Sequence, residues 1–360
     1  CLAQTPSLPL CRQEIVPVAP LSTVNRPGLG LATGGDWIAM GDPLPFGGRG
    51  QVFLYEYDPV SGRHVHRQTL GPSFSNDYEF GWDIAIDGDT LVVGSPSTLG
   101  APVTNPGSAY VYRLVSGLWQ EQQRIEPAVQ EDNDRFGWAV AASDGRIAIS
   151  APDRDFGFGT RVGALFVFNE EPQGWVQEAE LVPAQPANLV EHFGYDLDLD
   201  GSTVAAPFSD NPVDSRVVVF ERDEATGTWG ETARIRHYVG GVAIEGELLI
   251  TGAVNPTTSN QSRVHTARRD SITGAWTEDA LPPLDLDGAG RRLAIQDGRL
   301  VVGASAAAPR RVRSYTEVNG TWEQDFEAQP LGETPTSNFA FGERVAVSSD
   351  YVVVAASTFG

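Results

Sequence analysis

The chain has 360 residues with 39 Gly and 25 Pro, well above ordinary usage, which favours a fold with many turns. Its 41% hydrophobic content supports a packed core, and 20% charged residues is too few for a disordered acidic chain. The formal charge of −22, with arginine as the only strong base, argues against a nucleic-acid partner, because phosphate contacts need a basic face.

Length alone would suggest two or three domains at roughly 150 residues each. The N-terminal segment, residues 1–26, is Pro-rich and holds the only two cysteines, Cys1 and Cys11. Three readings stay open for them: a lipid anchor at Cys1 as in bacterial lipoproteins, a short-loop disulfide, or two unpaired thiols. The first two, together with a cysteine-free body, predict a secreted or cell-surface, outer-membrane-associated protein. No apolar run is long enough for a transmembrane segment.

From residue 27 onward the chain repeats itself. Copies start near 27, 80, 136, 193, 238, 289 and 341, the clearest being FGWDIAIDGDTLVVGSP at 80–96 and FGWAVAASDGRIAISAP at 136–152. Six copies are 17 residues long, the one at 193–207 is two shorter, and the mean period is about 52. Each alternates apolar and other residues on both sides of a turn, the period-2 signature of a hairpin. Asp87-Gly88, Asp144-Gly145, Asp200-Gly201, Glu245-Gly246 and Asp297-Gly298 mark those turns, with Asp-Gly suited to positive φ. A third strand follows at 107–113, 162–168 and 215–221. A fourth follows a Gly-Xaa-Trp or Gly-Trp step at Trp119, Trp175, Trp229, Trp276 and Trp322. A repeated aromatic fills a repeated core position, so these tryptophans are expected between adjacent units.

Four antiparallel strands per unit, repeated seven times, predict an all-β, seven-bladed β-propeller in one closed ring over residues 27–360. Phe-Gly at 80–81, 136–137, 193–194 and 341–342, followed about fourteen residues later by Gly-Ser-Pro, Ser-Ala-Pro or Ala-Ala-Pro, resembles the FG-GAP repeat. That resemblance implies the propeller of integrin α-subunit heads and of exported bacterial proteins. It is specific for fold and leaves function open, because such propellers serve as adhesion modules, lectins and enzyme appendages. The last copy contains only two strands, so residues 12–20, which resemble the fourth strand at 122–130, are expected to close the final blade. A third strand for that blade has no evident source.

In such a meander the links between blades share one face with the second-to-third loops. Those loops are long and varied, and a rigid scaffold presents binding residues on loops of that kind. Asp77, Asp132, Asp134, Asp153, Asp155 and Asp210 fall there and are the candidate ligand-binding residues. Asp196-Leu-Asp198-Leu-Asp200-Gly201 resembles an integrin-type calcium loop, making calcium the candidate cofactor. Val204 stands where a further acid normally follows, and the register makes Asp196 and Asp198 strand residues. His64 and His66 would share one side of a strand, but His64 aligns with the tryptophan slot. The chain has no Gly-x-Ser-x-Gly, HExxH or P-loop string. The expected function is a monomeric, non-catalytic adhesion module binding an extracellular protein or polysaccharide. A lectin or a carbohydrate-active enzyme using paired acids such as Asp153 and Asp155 is the alternative.

Overall fold

The computed structural model describes residues 30–43, 49–97, 105–129, 133–156, 161–184, 193–209, 215–236, 240–254, 262–278, 284–286, 292–303, 311–329 and 339–358. The described chain is all β, in sheets of consecutive antiparallel strands. Blade 1 is Leu31–Gly34, Trp37–Asp42, Gln51–Asp58 and Arg63–Leu70. Blade 2 is Ile84–Asp87, Thr90–Ser95, Ser108–Val115 and Leu118–Ile125. Blade 3 is Val140–Ser143, Arg146–Ala151, Ala164–Glu171 and Gly174–Leu181. Blade 4 is Asp198–Asp200, Thr203–Ser209, Ser215–Arg222 and Trp229–Arg236. Blade 5 runs Val242–Glu245, Leu248–Val254, Ser262–Arg269 and Trp276–Glu278, with Leu284–Leu286 also on its third strand. Blade 6 is Leu293–Gln296, Arg299–Val302, Val312–Val318 and Thr321–Ala328.

Six four-stranded blades therefore stand among the described residues, not the seven expected. The final sheet has two strands, Phe339–Val347 and Val352–Thr358. The expected closing strand, 12–20, lies outside the described residues. The final hairpin nevertheless packs on blade 1: Tyr351 meets the His64 ring edge-on at 4.7 Å and donates its hydroxyl to Gly35 O at 3.1 Å. His64 thus fills the slot that Trp119 fills in blade 2, where Trp119 meets Trp37 at 5.8 Å in the same T-shaped way.

The apolar core is distributed between blades. One cluster joins Ala39, Leu54 and Phe80 to Leu91 and Trp119 across blades 1 and 2. The next joins Val92 and Val111 to Ile147, Phe166 and Trp175 across blades 2 and 3. Trp229, Trp276 and Trp322 pack in the same way against the preceding blade. The expected role of the tryptophans as inter-blade filler holds, and burying such an aromatic contributes a few kcal/mol apiece, about 3–5 by truncation.

The Phe-Gly motif is a backbone joint. Phe80 bridges in parallel to Gly50, and Phe136 to Gly107, so each incoming link pairs with the start of the preceding blade's third strand. Gly107 has φ +91°, and a Cβ there would lie 2.2 Å from Phe136 O. Gly94, at the Gly-Ser-Pro end of its copy, would place a Cβ 2.1 Å from Gly137 O of the next blade. Both motif ends are therefore small because neighbouring backbones touch. The turns differ in detail from the Asp-Gly expectation. Asp144-Gly145 and Asp297-Gly298 have positive φ at both loop positions, as a type I′ turn requires. At Asp87-Gly88 and Asp200-Gly201 the aspartate ends the strand and glycine opens the loop.

Candidate functional site

Links and second-to-third loops emerge on one face, as the meander requires. Much of that face lies outside the described residues, Asp132 and Asp210 included. Asp77, Asp134, Asp153 and Asp155 are described, and the first three are buried. Asp77 is fully enclosed. It accepts two bonds from the Arg124 guanidinium (2.6 and 2.9 Å), one from Ser108 Oγ (2.6 Å) and one from the Tyr110 hydroxyl (2.5 Å). Burial pushes its carboxyl up, but those hydrogen bonds outweigh it and hold Asp77 below the usual carboxylate range. The geometry ties Asp77 to the fold of the 71–79 link and leaves it no face toward a ligand.

Blade 3 builds a related network with the charges exchanged. Arg154, buried in the second-to-third loop, donates to Asp134 Oδ2 (2.7 Å) and Val129 O (3.1 Å), and lies 3.4 Å from Glu180. Asp153 sits between Arg135 (2.9 Å) and Arg161 (3.3 Å), while Asp155 forms an isolated bridge with Arg161. Asp153 and Asp155 are thus close in space, and Asp77 belongs to another blade.

Asp196, Asp198 and Asp200 do not converge as ligands around one ion. Their carboxylates form a ladder along one strand edge and accept the N–H groups of Val242 (3.2 Å), Ile244 (2.8 Å) and Gly246 in blade 5. Asp83 and Asp87 accept from Val140 (2.9 Å) and Asp144 (2.8 Å) of blade 3 in the same fashion. The string is therefore an inter-blade clasp built on strand periodicity, which puts alternate residues on one side. Burial raises the Asp198 carboxyl to about 7, partly offset by the Ile244 and Leu199 N–H groups. Among the described residues no cluster of three or more His, Cys, Asp or Glu side chains is gathered as a metal would need.

Sequence reasoning missed the aromatic residues beside these acids. The third residue of three successive copies is Trp82, Trp138 and Tyr195, at the end of each link. The Trp82 and Trp138 rings meet at 4.7 Å, tilted by 48°, and Trp138 meets Tyr195 at 5.2 Å while donating Nε1–H to Tyr195 O at 3.1 Å. The Arg135 guanidinium lies 5.3 Å from the Trp138 ring, so the arc adjoins the Arg135–Asp153–Arg161 group. Arg135 itself has φ +58°, a conformation uncommon outside glycine that recurs at functional sites. The signal was present in the sequence as FGW, FGW, FGY.

The class of protein that the fold defines is a β-propeller, with the aromatic arc lying beside ion-paired loops. The family described as FG-GAP repeat matches residues 74–112 and 119–168, which run from the link before blade 2 into the third strand of blade 3, and the β-propeller fold is consistent with that family. No curated protein matches the chain. A solved structure from Bacteroides uniformis, provisionally named a 6-phosphogluconolactonase, shares 10% identity at a TM-score of 0.58, covering 91% of this chain and 88% of that one. A second such protein, from Bacteroides fragilis, shares 12% identity at a TM-score of 0.53, covering 82% of each chain. At these identities the likeness is one of fold. Among the described residues no helix is long and apolar enough to cross a membrane.

Proposed function

We propose that this chain is an exported, non-catalytic binding module that holds a surface polymer or extracellular protein on its long-loop face. The observation that carries this reading is the Trp82–Trp138–Tyr195 arc, which spans blades 2 to 4 beside the Arg135–Asp153–Arg161 group. Half-buried aromatic faces with adjacent polar groups suit apolar ring faces carrying hydroxyls, so among polymers the arc favours polysaccharide. A hydrolase or lyase reading would need Asp153 or Asp155 to move a proton. Asp153 is instead buried between two guanidinium groups, an arrangement that serves positioning.

The ring is proposed to have seven blades, the last completed by residues 12–20. Supporting this, inter-blade clusters run around the ring, one joining Val301 of blade 6 to Val345, another joining Ile38 and Phe53 of blade 1 to Val353. A monomeric state belongs to the same proposal.

The test is an array of glycans and matrix proteins probed with the purified chain, once with calcium and once with chelator. Saturable binding that Trp138→Ala reduces at least about tenfold, at unchanged stability, is the expected result. Binding that survives Trp138→Ala and Trp82→Ala would displace the arc as the site. Loss in chelator would direct the search for ligands to Asp132, Asp155 and Asp210. Turnover of a glycan or lactone that Asp153→Asn abolishes would overturn the non-catalytic reading.

A further inference from the structure

The fourth residue of each copy lies at the inner strand of its blade, and in this slot Asp83, Asp196, Arg292 and Arg344 from four different units come near enough to act on one another's charge. Around the ring it holds Gly30, Asp83, Ala139, Asp196, Gly241, Arg292 and Arg344. The two arginines are neighbours, contributed by blade 6 and the final sheet, and the two aspartates lie on blades 2 and 4. The slots differ in how their charges are held. Asp83 and Asp196 each have one oxygen fixed by a backbone N–H of the next blade. The arginines are not fixed in that way. Arg344 reaches toward Asp83 but stops at 3.8 Å, an ion pair too long to be a hydrogen bond. Its Nε–H is buried and has no acceptor among the described residues. The Arg292 carbonyl accepts from Gly303 N–H at 2.9 Å, while its guanidinium has no hydrogen bond or ion pair among the described residues and its charge acts on Arg344.

A buried donor without an acceptor is destabilising, more so when charged, and two like charges close together add to that. Burial and the nearby Arg292 push the Arg344 guanidinium down to about 10, while burial holds Asp83 and Asp196 above the usual carboxylate range. An anion arriving between the arginines supplies the acceptor that Arg344 Nε–H lacks and offsets the repulsion between Arg292 and Arg344. A carboxylate matches the planar guanidinium fork and supplies the oxygen that Nε–H lacks.

We propose that these four side chains form a carboxylate-binding site in which Arg292 and Arg344 hold the anion and Asp83 and Asp196 orient them. The site uses different side chains from the aromatic arc, although Asp83 and Asp196 directly follow Trp82 and Tyr195 in the chain, and Arg292 and Arg344 lie on units that the arc does not include. Its carboxylate is either free, as a small organic acid, or carried on a uronate-containing polymer.

The experiment is calorimetric titration of the full chain with acetate, succinate, galacturonate and polygalacturonate at fixed ionic strength. The expected result is saturable binding of at least one of these, weakened at least about tenfold by Arg344→Gln and by Arg292→Gln and untouched by the surface change Arg67→Gln. Equal affinity per carboxylate for monomer and polymer marks a free acid as the ligand, whereas tighter binding of the polymer marks the uronate chain. Nitrogen-15 spectra of the wild-type arginine Nε–H groups provide a readout that needs no variant. Two resonances, assigned by the two substitutions, are expected to move on saturation. No binding tighter than about 10 mM by any probe, binding unchanged in both variants, or Nε–H resonances that stay fixed would each overturn the site.

Discussion

Asp77 is a candidate ligand residue that the structure turns into a structural one, and its removal separates the two roles. In Asp77→Ala the Arg124 guanidinium loses both carboxylate oxygens, and the Ser108 and Tyr110 hydroxyls lose their acceptor. Breaking one side of a buried ion pair costs about 3–5 kcal/mol, and each orphaned hydroxyl about 1 kcal/mol more. Arg124 keeps Glu126 at 2.7 Å and the Phe74 ring at 4.5 Å, which offsets part of that loss. The expected destabilisation is therefore about 3–5 kcal/mol, read as a shift in urea midpoint at unchanged m-value. The acid limb gives a second reading. Because the folded carboxyl lies below its ordinary 3.8, its stabilisation is complete above that value and is lost as pH falls through the folded one. Wild type should lose stability steeply below about pH 4, and Asp77→Ala should follow a shallower curve. A loss under about 1 kcal/mol, or an unchanged acid limb, would refute the assignment of Asp77 to the internal network.

Three further outcomes test the scaffold. Gly94→Ala puts a Cβ against Gly137 O at 2.1 Å with no unusual φ, so its cost of about 1–3 kcal/mol is steric, whereas Gly88→Ala, in open space at φ +55°, should cost only about 1 kcal/mol; denaturant midpoints decide. Burial lowers the His64 pKa against a smaller upward pull from Asp36, so the unfolded chain takes up the proton first. Stability should therefore fall as pH drops below 6.5, and His64→Phe, keeping the ring against Tyr351, should flatten the melting-temperature profile between pH 8 and pH 5. Asp198, raised to about 7, binds a proton more tightly folded than unfolded, so it adds stability below the unfolded value of 3.8 that is lost as pH rises through 7. Asp198→Asn should remove that slope from unfolding curves while leaving calcium response unchanged, and a calcium-induced melting shift that disappears in the variant would restore the metal reading.

The parts of this molecule that were legible in the sequence are those where backbone contacts backbone. Phe-Gly and the distal glycine recur because Gly107 lies against Phe136 O and Gly94 against Gly137 O, constraints that only composition at fixed spacing can satisfy. The tryptophan slot is legible for a related reason, since each aromatic must fill the same inter-blade gap. Pairing between distant charges leaves no such trace. Asp77 finds Arg124, 47 residues away, and Asp134 finds Arg154, 20 away, so acids that look like a ligand-ready surface are neutralised across loops whose geometry no local string encodes. The Asp196–Asp200 string misleads because the same spacing describes a calcium loop and one edge of a strand, and only the neighbouring blade decides between them. The repeat itself still marks where to look. Residues one and two of each copy are fixed by the blade joint, so they cannot vary to suit a ligand. Residues three and four lie just past that joint and carry no packing duty common to all copies. It is there that Trp82, Trp138 and Tyr195 gather on one side of the ring, and Arg292 and Arg344 on the other.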